Sequence, residues 1–263
     1  MDLQLANDWL RPDHPLVVAH RGQSALVPEQ TIASFQAAID LGAEMIEADA
    51  QLSHDGRLAL MHDLTVDRTT NGSGRVAELG WEELSRLDAG GWFNPRFRGL
   101  RIPLAEELVD LAGSAGIGLC LEAKGATTAE ATRVAVALAH LVRDRDALRW
   151  AFVSSFNHRA LADARRAVPG LLLAPERLPD HGPLPAEEAL EQVIALGAPV
   201  LQHRWELLTA ELVDLLHREG FAVWAWTTND ERSLRAAIGL GTDGLMGDDT
   251  SLLLKARARL CLP

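Results

Sequence analysis

Lysine is nearly missing from this chain. Of 25 Lys and Arg side chains, only Lys124 and Lys255 are lysines. Arginine-biased coding accounts for the scarcity. It also makes a lysine near a site a mild pointer, because ammonium and guanidinium differ in shape and pKa. Cysteine is as scarce. Cys120 and Cys261 lie far apart, and Cys120 falls in an apolar run. That pattern argues against a disulfide-stapled scaffold and for two free thiols in a reducing compartment. No stretch reaches the length of a membrane span. The N-terminal MDLQLANDWLRPDHPL has neither a basic n-region nor an apolar h-region. A cytoplasmic protein is expected. Positive charge is in deficit, with a formal net charge of −12. Nucleic acid is therefore an unsuitable partner, but a small phosphate compound is not, since a site can be locally basic or carry a metal. No G-x-G-x-x-G follows the first apolar run, which weakens a dinucleotide-binding reading.

What is present is a repeat. The 263 residues are 48% hydrophobic and 24% charged, enough to bury a large core without staples. Apolar runs read as strands at 16–20, 44–52, 117–124, 151–156, 171–176, 199–204, 222–227 and 243–248. Amphipathic helices lie between most of them, many ending in Gly. Eight strands alternating with helices predict an α/β fold, a single TIM (β/α)8 barrel spanning 1–263 as one domain. An open doubly wound sheet is the competing architecture.

One connection breaks the repeat. Asp55-Gly56 between alternating segments signals a two-residue hairpin, so the second strand is expected to extend past the rim and return. Counting outward from that turn places Leu52 across from Ala59 and Asp49 across from His62. Residues 64–103 then read as a rim insertion, with turns at TTNGSG and a short helix at GWEELSRLD.

In such barrels chemistry sits at the C-terminal ends of the strands. The first strand ends in His20-Arg21-Gly22, and Pro28-Glu29 opens what reads as a helix. An Arg beside a permissive Gly suits an anion. Glu47 and Asp49 share one face of an apolar strand, where two carboxylates repel each other unless a cation relieves them. Glu122 and Lys124 repeat the spacing, and side chains two apart on a strand are not expected to pair with each other. Glu47, Asp49 and Glu122 could hold a hard cation such as Mg²⁺ or Ca²⁺. Arg21 and Lys124 could hold phosphate oxygens. His20 and His62 could exchange protons near neutral pH. Together these describe a metal-assisted phosphodiester hydrolase. His203 and Trp226 end later strands, where each could line a pocket or pack in the core. The remaining histidines (His14, His54, His140, His158, His181, His217) read as loop or helix residues.

The ordered set His20-Arg21-Gly22, Pro28-Glu29-Gln30-Thr31, Glu47-Ala48-Asp49, His62-Asp63 and Glu122-Ala123-Lys124 resembles the glycerophosphodiester phosphodiesterases. The insertion and the closing FAVWAWTTND and GTDGLMGDD resemble them too, so the likeness covers roughly the whole chain. The resemblance implies a TIM barrel that uses a divalent cation to hydrolyse deacylated phospholipids to glycerol 3-phosphate and an alcohol. It implies metal binding by Glu47, Asp49 and Glu122, acid–base roles for His20 and His62, phosphate contacts from Arg21 and Lys124, and a glycerol-side position for Trp226. The nucleophile is either water or the substrate's own glycerol hydroxyl, forming a cyclic phosphate first. Two departures stand out. Gln30 replaces the family's Asn, and Gly247-Asp248-Asp249-Thr250 replaces its Thr-Asp-x-Pro. Neither is expected to touch the metal ligands. Alternatives are a lysophospholipase D-like enzyme with Trp92, Phe93 and Phe97 as an apolar rim, a sugar-phosphodiester hydrolase, and a catalytically silent phosphodiester-binding homologue.

Overall fold

Every apolar run read as a strand forms one: the first keeps its predicted bounds, and the other seven are trimmed by a residue or more. The computed structural model describes residues 10, 13–178, 182 and 185–260. In chain order the strands are β1 (Leu16–His20), β2 (Met45–Leu52), β3 (Leu58–Leu60), β4 (Gly118–Ala123), β5 (Ala151–Ser154), β6 (Leu172–Leu173), β7 (Val200–Arg204), β8 (Ala222–Trp226) and β9 (Gly244–Gly247). The helices are α1 (Ile32–Leu41), α2 (Trp81–Leu84), α3 (Ala105–Ala115), α4 (Thr128–Asp144), α5 (His158–Ala167), α6 (Ala186–Leu196), α7 (Ala210–Arg218), α8 (Glu231–Gly239) and α9 (Thr250–Leu260). The spatial order is β6-β5-β4-β2-β1-β9-β8-β7. A bridge from Glu176 to Gln202 joins the ends, with Arg177 N donating to Gln202 O at 2.9 Å and Gln202 N to Pro175 O at 2.9 Å. The ring is a (β/α)8 barrel.

Strand alternation separates two cores. Val17, Ala19, Ile46, Ala48, Leu119 and Leu121 point outward and pack under the helices. Val18, Met45, Cys120, Phe152, Trp224 and Met246 point inward. The inward set plugs the barrel floor, where Trp224 meets Phe152 edge-on at 5.0 Å between ring centroids. Gly244 makes room for that indole, since a Cβ there would lie 2.5 Å from Trp224 Cδ1. Cys120 is a free, buried thiol; Cys261 and His181 lie outside the described residues. With the floor filled, the inward positions one or two steps further along each strand open onto the top.

The hairpin forms, but its register differs from the count. Ala50 pairs with Leu60, Gln51 with Ala59 and Leu52 with Leu58. Ser53 N donates to Arg57 O at 2.9 Å, so the loop has three residues. Turn chemistry is the cause. Ser53 Oγ donates to Asp55 Oδ1 at 2.6 Å and accepts from Arg57 N at 2.8 Å. Gly56 takes the left-handed position, φ 84°, that three-residue hairpins require. Asp49 O therefore accepts from Met61 N at 2.9 Å, and Met61, not His62, stands opposite Asp49.

The rim insertion has a small core of its own, built on Met61, Val66, Val76, Leu84, Ala89 and Ile102. Its short helix is one turn, α2. No helix among the described residues is long and apolar enough to cross a membrane.

Candidate active site

The site begins with a strained loop. After β1, Arg21 has φ 58° and Gly22 φ 85°. A side chain at Gly22 would collide with Ser34, its Cβ 2.7 Å from the carbonyl carbon. The helix expected at Pro28 starts instead at Ile32, with Thr31 as its cap accepting from Ser34 N. This leaves Pro28-Glu29-Gln30 as a turn that folds back over the barrel. Gln30 adopts φ 57° and is 3% exposed. Its Nε2 donates to Asp49 Oδ2 at 2.7 Å, so this departure does touch the acidic set. Its Oε1 is buried with no hydrogen-bond partner among the described residues.

Glu47 and Asp49 on β2 and Glu122 on β4 project inward side by side. Asp49 and Glu122 are register partners, and one carboxylate oxygen from each of the three lies within 4.8 Å of the others. Burial pushes the Glu47 carboxyl well above its usual range, and the neighbouring Asp49 charge adds to the push. Burial likewise raises Glu122, to about 7, against the pull of Lys124. Burial would raise Asp49 too, but Lys124 and Arg21 outweigh it and hold that carboxyl well below the carboxylate range. Two reluctant carboxylates beside one firmly ionised one, with a buried amide oxygen nearby, are a hard oxygen donor set that fits Mg²⁺ or Ca²⁺.

Lys124 Nζ lies 3.0 Å from Asp49 Oδ1 and 2.9 Å from Glu122 Oε1. Glu122 and Lys124 therefore do pair. Both face the same cavity, as alternation requires, and the long lysine stem spans the two-residue separation. Arg21 Nε lies 3.2 Å from Asp49 Oδ2, and Nη1 is 3.1 Å from Glu29 Oε1.

Each histidine is held by one carboxylate. His20 Nδ1 meets Asp248 Oδ1 at 2.6 Å, and Asn229 Nδ2 donates to the other oxygen of that carboxylate at 2.6 Å. Burial alone would raise Asp248, but the His20 hydrogen bond and charge bring it below the ordinary value. His62 Nδ1 meets Asp63 Oδ1 at 2.7 Å. Arg68 grips Asp63 with Nε at 2.7 Å and Nη2 at 3.0 Å, and its Nη1 and Nη2 each reach Glu29 at 2.8 Å. Arg68 pulls Asp63 down to about 2. Burial lowers the His62 pKa, with Lys124 and Arg21 adding to the effect and Asp49 opposing it. With Nδ1 engaged on both rings, both Nε2 atoms are left for other work; His20 Nε2 lies 3.8 Å from Glu47 Oε2.

His20, Arg21, Glu47, His62, Glu122, Lys124 and Trp226 all line one cavity of about 130 Å³. Asp49 lies beneath it, 1% exposed. The structure thus brings together every site residue that the sequence singles out. His203 is not among them: it is 2% exposed, and burial lowers its pKa to about 3, with Arg177 and Arg204 adding. Asp248, Asn229, Glu29, Arg68 and Glu176 were not singled out as site residues. Glu176 had a legible signal, since it continues the inward alternation of Leu172 and Ala174.

Residues 20–252 match the model of the Glycerophosphoryl diester phosphodiesterase family. The chain is 35% identical over 239 residues to the glycerophosphodiester phosphodiesterase of Caldanaerobacter subterraneus subsp. tengcongensis, covering 91% of this chain and 96% of that one. It is 30% identical over 264 residues to a Bacillus subtilis glycerophosphodiester phosphodiesterase, covering 94% and 88%. Among solved structures, the Oleispira antarctica phosphodiesterase in complex with the product sn-glycerol-3-phosphate superposes with a TM-score of 0.83 at 28% identity, covering 92% of this chain and 96% of that one.

Proposed function

The chain belongs to the glycerophosphoryl diester phosphodiesterase family and is a phosphoric diester hydrolase, and from that premise we propose that it cleaves glycerophosphodiesters to glycerol 3-phosphate and an alcohol by paired-histidine catalysis with Mg²⁺ or Ca²⁺. One observation carries the reading. Two histidines, each tied at Nδ1 to its own carboxylate, flank a single cavity beside three clustered carboxylates.

Glu47, Asp49 and Glu122 would hold the cation. When bound, it supplies positive charge to the phosphoryl oxygens and lowers the pKa of a coordinated hydroxyl. Arg21 and Lys124 orient the phosphate, their charges already aimed into the cavity by Asp49 and Glu29. Asp248 and Asp63 fix the tautomers of His20 and His62 with Nε2 as the exchanging atom. One Nε2 takes the proton of the attacking hydroxyl. The other donates a proton to the departing alkoxide, so that the alcohol leaves neutral. The lowered pKa of His62 favours its neutral imidazole near pH 7. We place this chemistry in the cytoplasm, in a barrel acting as one domain on a small soluble phosphodiester.

A head-group panel tests the reading. Glycerophosphocholine, glycerophosphoethanolamine and lysophosphatidylcholine are each incubated with Mg²⁺ or Ca²⁺, and released glycerol 3-phosphate is measured. Release from the deacylated compounds, abolished by a chelator, is expected. Full activity in the chelator, or binding without turnover, refutes it.

A further inference from the structure

One guanidinium stands behind two of the groups given work above. Arg68 turns one edge to Glu29, Nη1 donating to Oε2 and Nη2 to Oε1, both at 2.8 Å. It turns the adjoining edge to Asp63, Nε donating to Oδ2 at 2.7 Å and Nη2 to Oδ1 at 3.0 Å. Each carboxylate passes a further contact inward. Glu29 Oε1 accepts from Arg21 Nη1 at 3.1 Å, and Asp63 Oδ1 meets His62 Nδ1 at 2.7 Å. The contacts therefore run Arg21–Glu29–Arg68–Asp63–His62, and both ends of that run line the cavity. The electrostatics agree with the geometry. Burial would raise the Glu29 carboxyl, but the Arg68 hydrogen bonds and the Arg21 charge bring it below its ordinary value.

The backbone that carries Arg68 is fixed from below. Val66 is buried in the insertion core. Thr69 Oγ1 donates to Met61 Sδ at 3.3 Å, and Thr70 Oγ1 to Val66 O at 2.7 Å. The guanidinium itself lies 6.0 Å from the ring centre of Trp92, another insertion residue. Its side chain is 43% exposed, and exposed ion pairs add little to stability. What two bidentate edges add is direction. They fix the planes of both carboxylates, and with them the aim of Arg21 and of His62. A lysine ammonium is a point charge and cannot hold two carboxylates edge to edge. His20 is supported differently, since the carboxylate behind it is held by the neutral amide of Asn229.

Resting on the phosphodiesterase reading, we propose that Arg68 is a positioning residue, which the rim insertion supplies to lock the phosphate-holding Arg21 and the proton-exchanging His62 into one unit through Glu29 and Asp63. Glu29 and Asp63 then depend on each other although no bond joins them. Breaking either edge loosens the guanidinium and, with it, the carboxylate on the other edge. Misplacing a reacting group by about 1 Å costs on the order of 10²-fold in rate, so the bridge matters to turnover far more than to folding.

The test measures kcat and KM for glycerophosphoethanolamine, and competitive inhibition by glycerol 3-phosphate, with thermal melts alongside. Arg68→Gln is expected to lower kcat by about 10–100-fold and to weaken the inhibition by about 3–10-fold, while the melting temperature falls by no more than about 4 °C. Arg68→Lys keeps the charge and is expected to recover only part of the loss. A mutant cycle reads the coupling. With Arg68 present, the loss in kcat/KM of the Glu29→Gln, Asp63→Asn double variant should fall short of the product of the single losses by about 3-fold or more. In the Arg68→Gln background the two losses should multiply to within about 2-fold. Near-normal kcat in Arg68→Gln, full recovery in Arg68→Lys, independent losses with Arg68 present, or a larger drop in melting temperature overturns the assignment and leaves the phosphodiesterase reading intact. A wild type that releases no glycerol 3-phosphate overturns both.

Discussion

Protons and a divalent cation should compete for the three clustered carboxylates. Glu122 titrates at about 7 in the metal-free site. At pH 6 it is then about nine-tenths protonated and at pH 8 about one-tenth, so a cation that requires the carboxylate binds about 10-fold more weakly at pH 6. Glu47, also raised well above its ordinary value, steepens the dependence. Asp49 does not contribute, because Lys124 and Arg21 keep it ionised throughout. Stability carries the same information with a defined sign. A carboxyl raised from 4.5 to about 7 costs the folded state nothing below pH 4.5. The cost grows between those values and is complete above pH 7, at about 3 kcal/mol. The cation removes it, so the metal-induced rise in Tm should be larger at pH 8 than at pH 6. Isothermal titration of Ca²⁺ and of Mg²⁺ at pH 6, 7 and 8, in buffers of different ionisation enthalpy, reads both the affinity and the protons released. Equal affinity at pH 6 and pH 8 with no proton release would refute the reasoning. Glu122→Gln should weaken binding and flatten what pH dependence remains.

The other expectations concern the histidines and their supports. His20→Ala and His62→Ala should each lower kcat by about 10²-fold or more, and near-normal turnover in either sinks the acid–base assignment. Asp248→Asn keeps the shape but not the charge behind His20. It should lower kcat by at least about 10-fold, yet less than His20→Ala, with KM little changed; a pure KM effect would contradict a positioning role. His203 is depressed from 6.5 to about 3, so the unfolded chain takes up its proton first and stability is lost as pH falls below 6.5. By pH 5 the loss from this group is about 2 kcal/mol. Urea unfolding of wild type and His203→Gln at pH 7 and pH 5 checks it, and parallel pH dependences would exclude His203 as the source.

Alternation made much of this legible. Because side chains two apart share a strand face, Glu47 with Asp49 and the carboxylate of Glu122 could be placed on one wall before any coordinates. The same rule extended along the predicted strand 171–176 leads to Glu176, which lies past the end of β6 and lines the cavity. The hairpin was harder. Asp55-Gly56 suggests two residues in the turn, whereas Ser53 and Asp55 side chains build a three-residue one, and side-chain capping is not visible to counting. Alternation also puts Lys124 on the wall of Glu122, but not that its flexible stem reaches back to pair with it. Gln30 could be flagged as a departure but not located, since its position depends on a left-handed backbone at a non-glycine residue. Arg68 joins Glu29, 39 residues away, and nothing local in either segment announces the other.

The pairing of His20 with Asp248 spans 228 residues, and the neighbouring loop is fastened across the same seam. Gln23 Nε2 donates to Asp249 Oδ1 at 3.0 Å, and Thr250 N donates to Gln23 Oε1 at 2.7 Å. The first strand leaves the ribosome long before its counterpart exists. A nascent chain therefore carries a histidine with no carboxylate to aim it until the last strand is synthesised and docks beside the first. Hydrolysis becomes a readout of completed ring closure, and two fragments split in a mid-chain loop should regain turnover only by reassembling that seam.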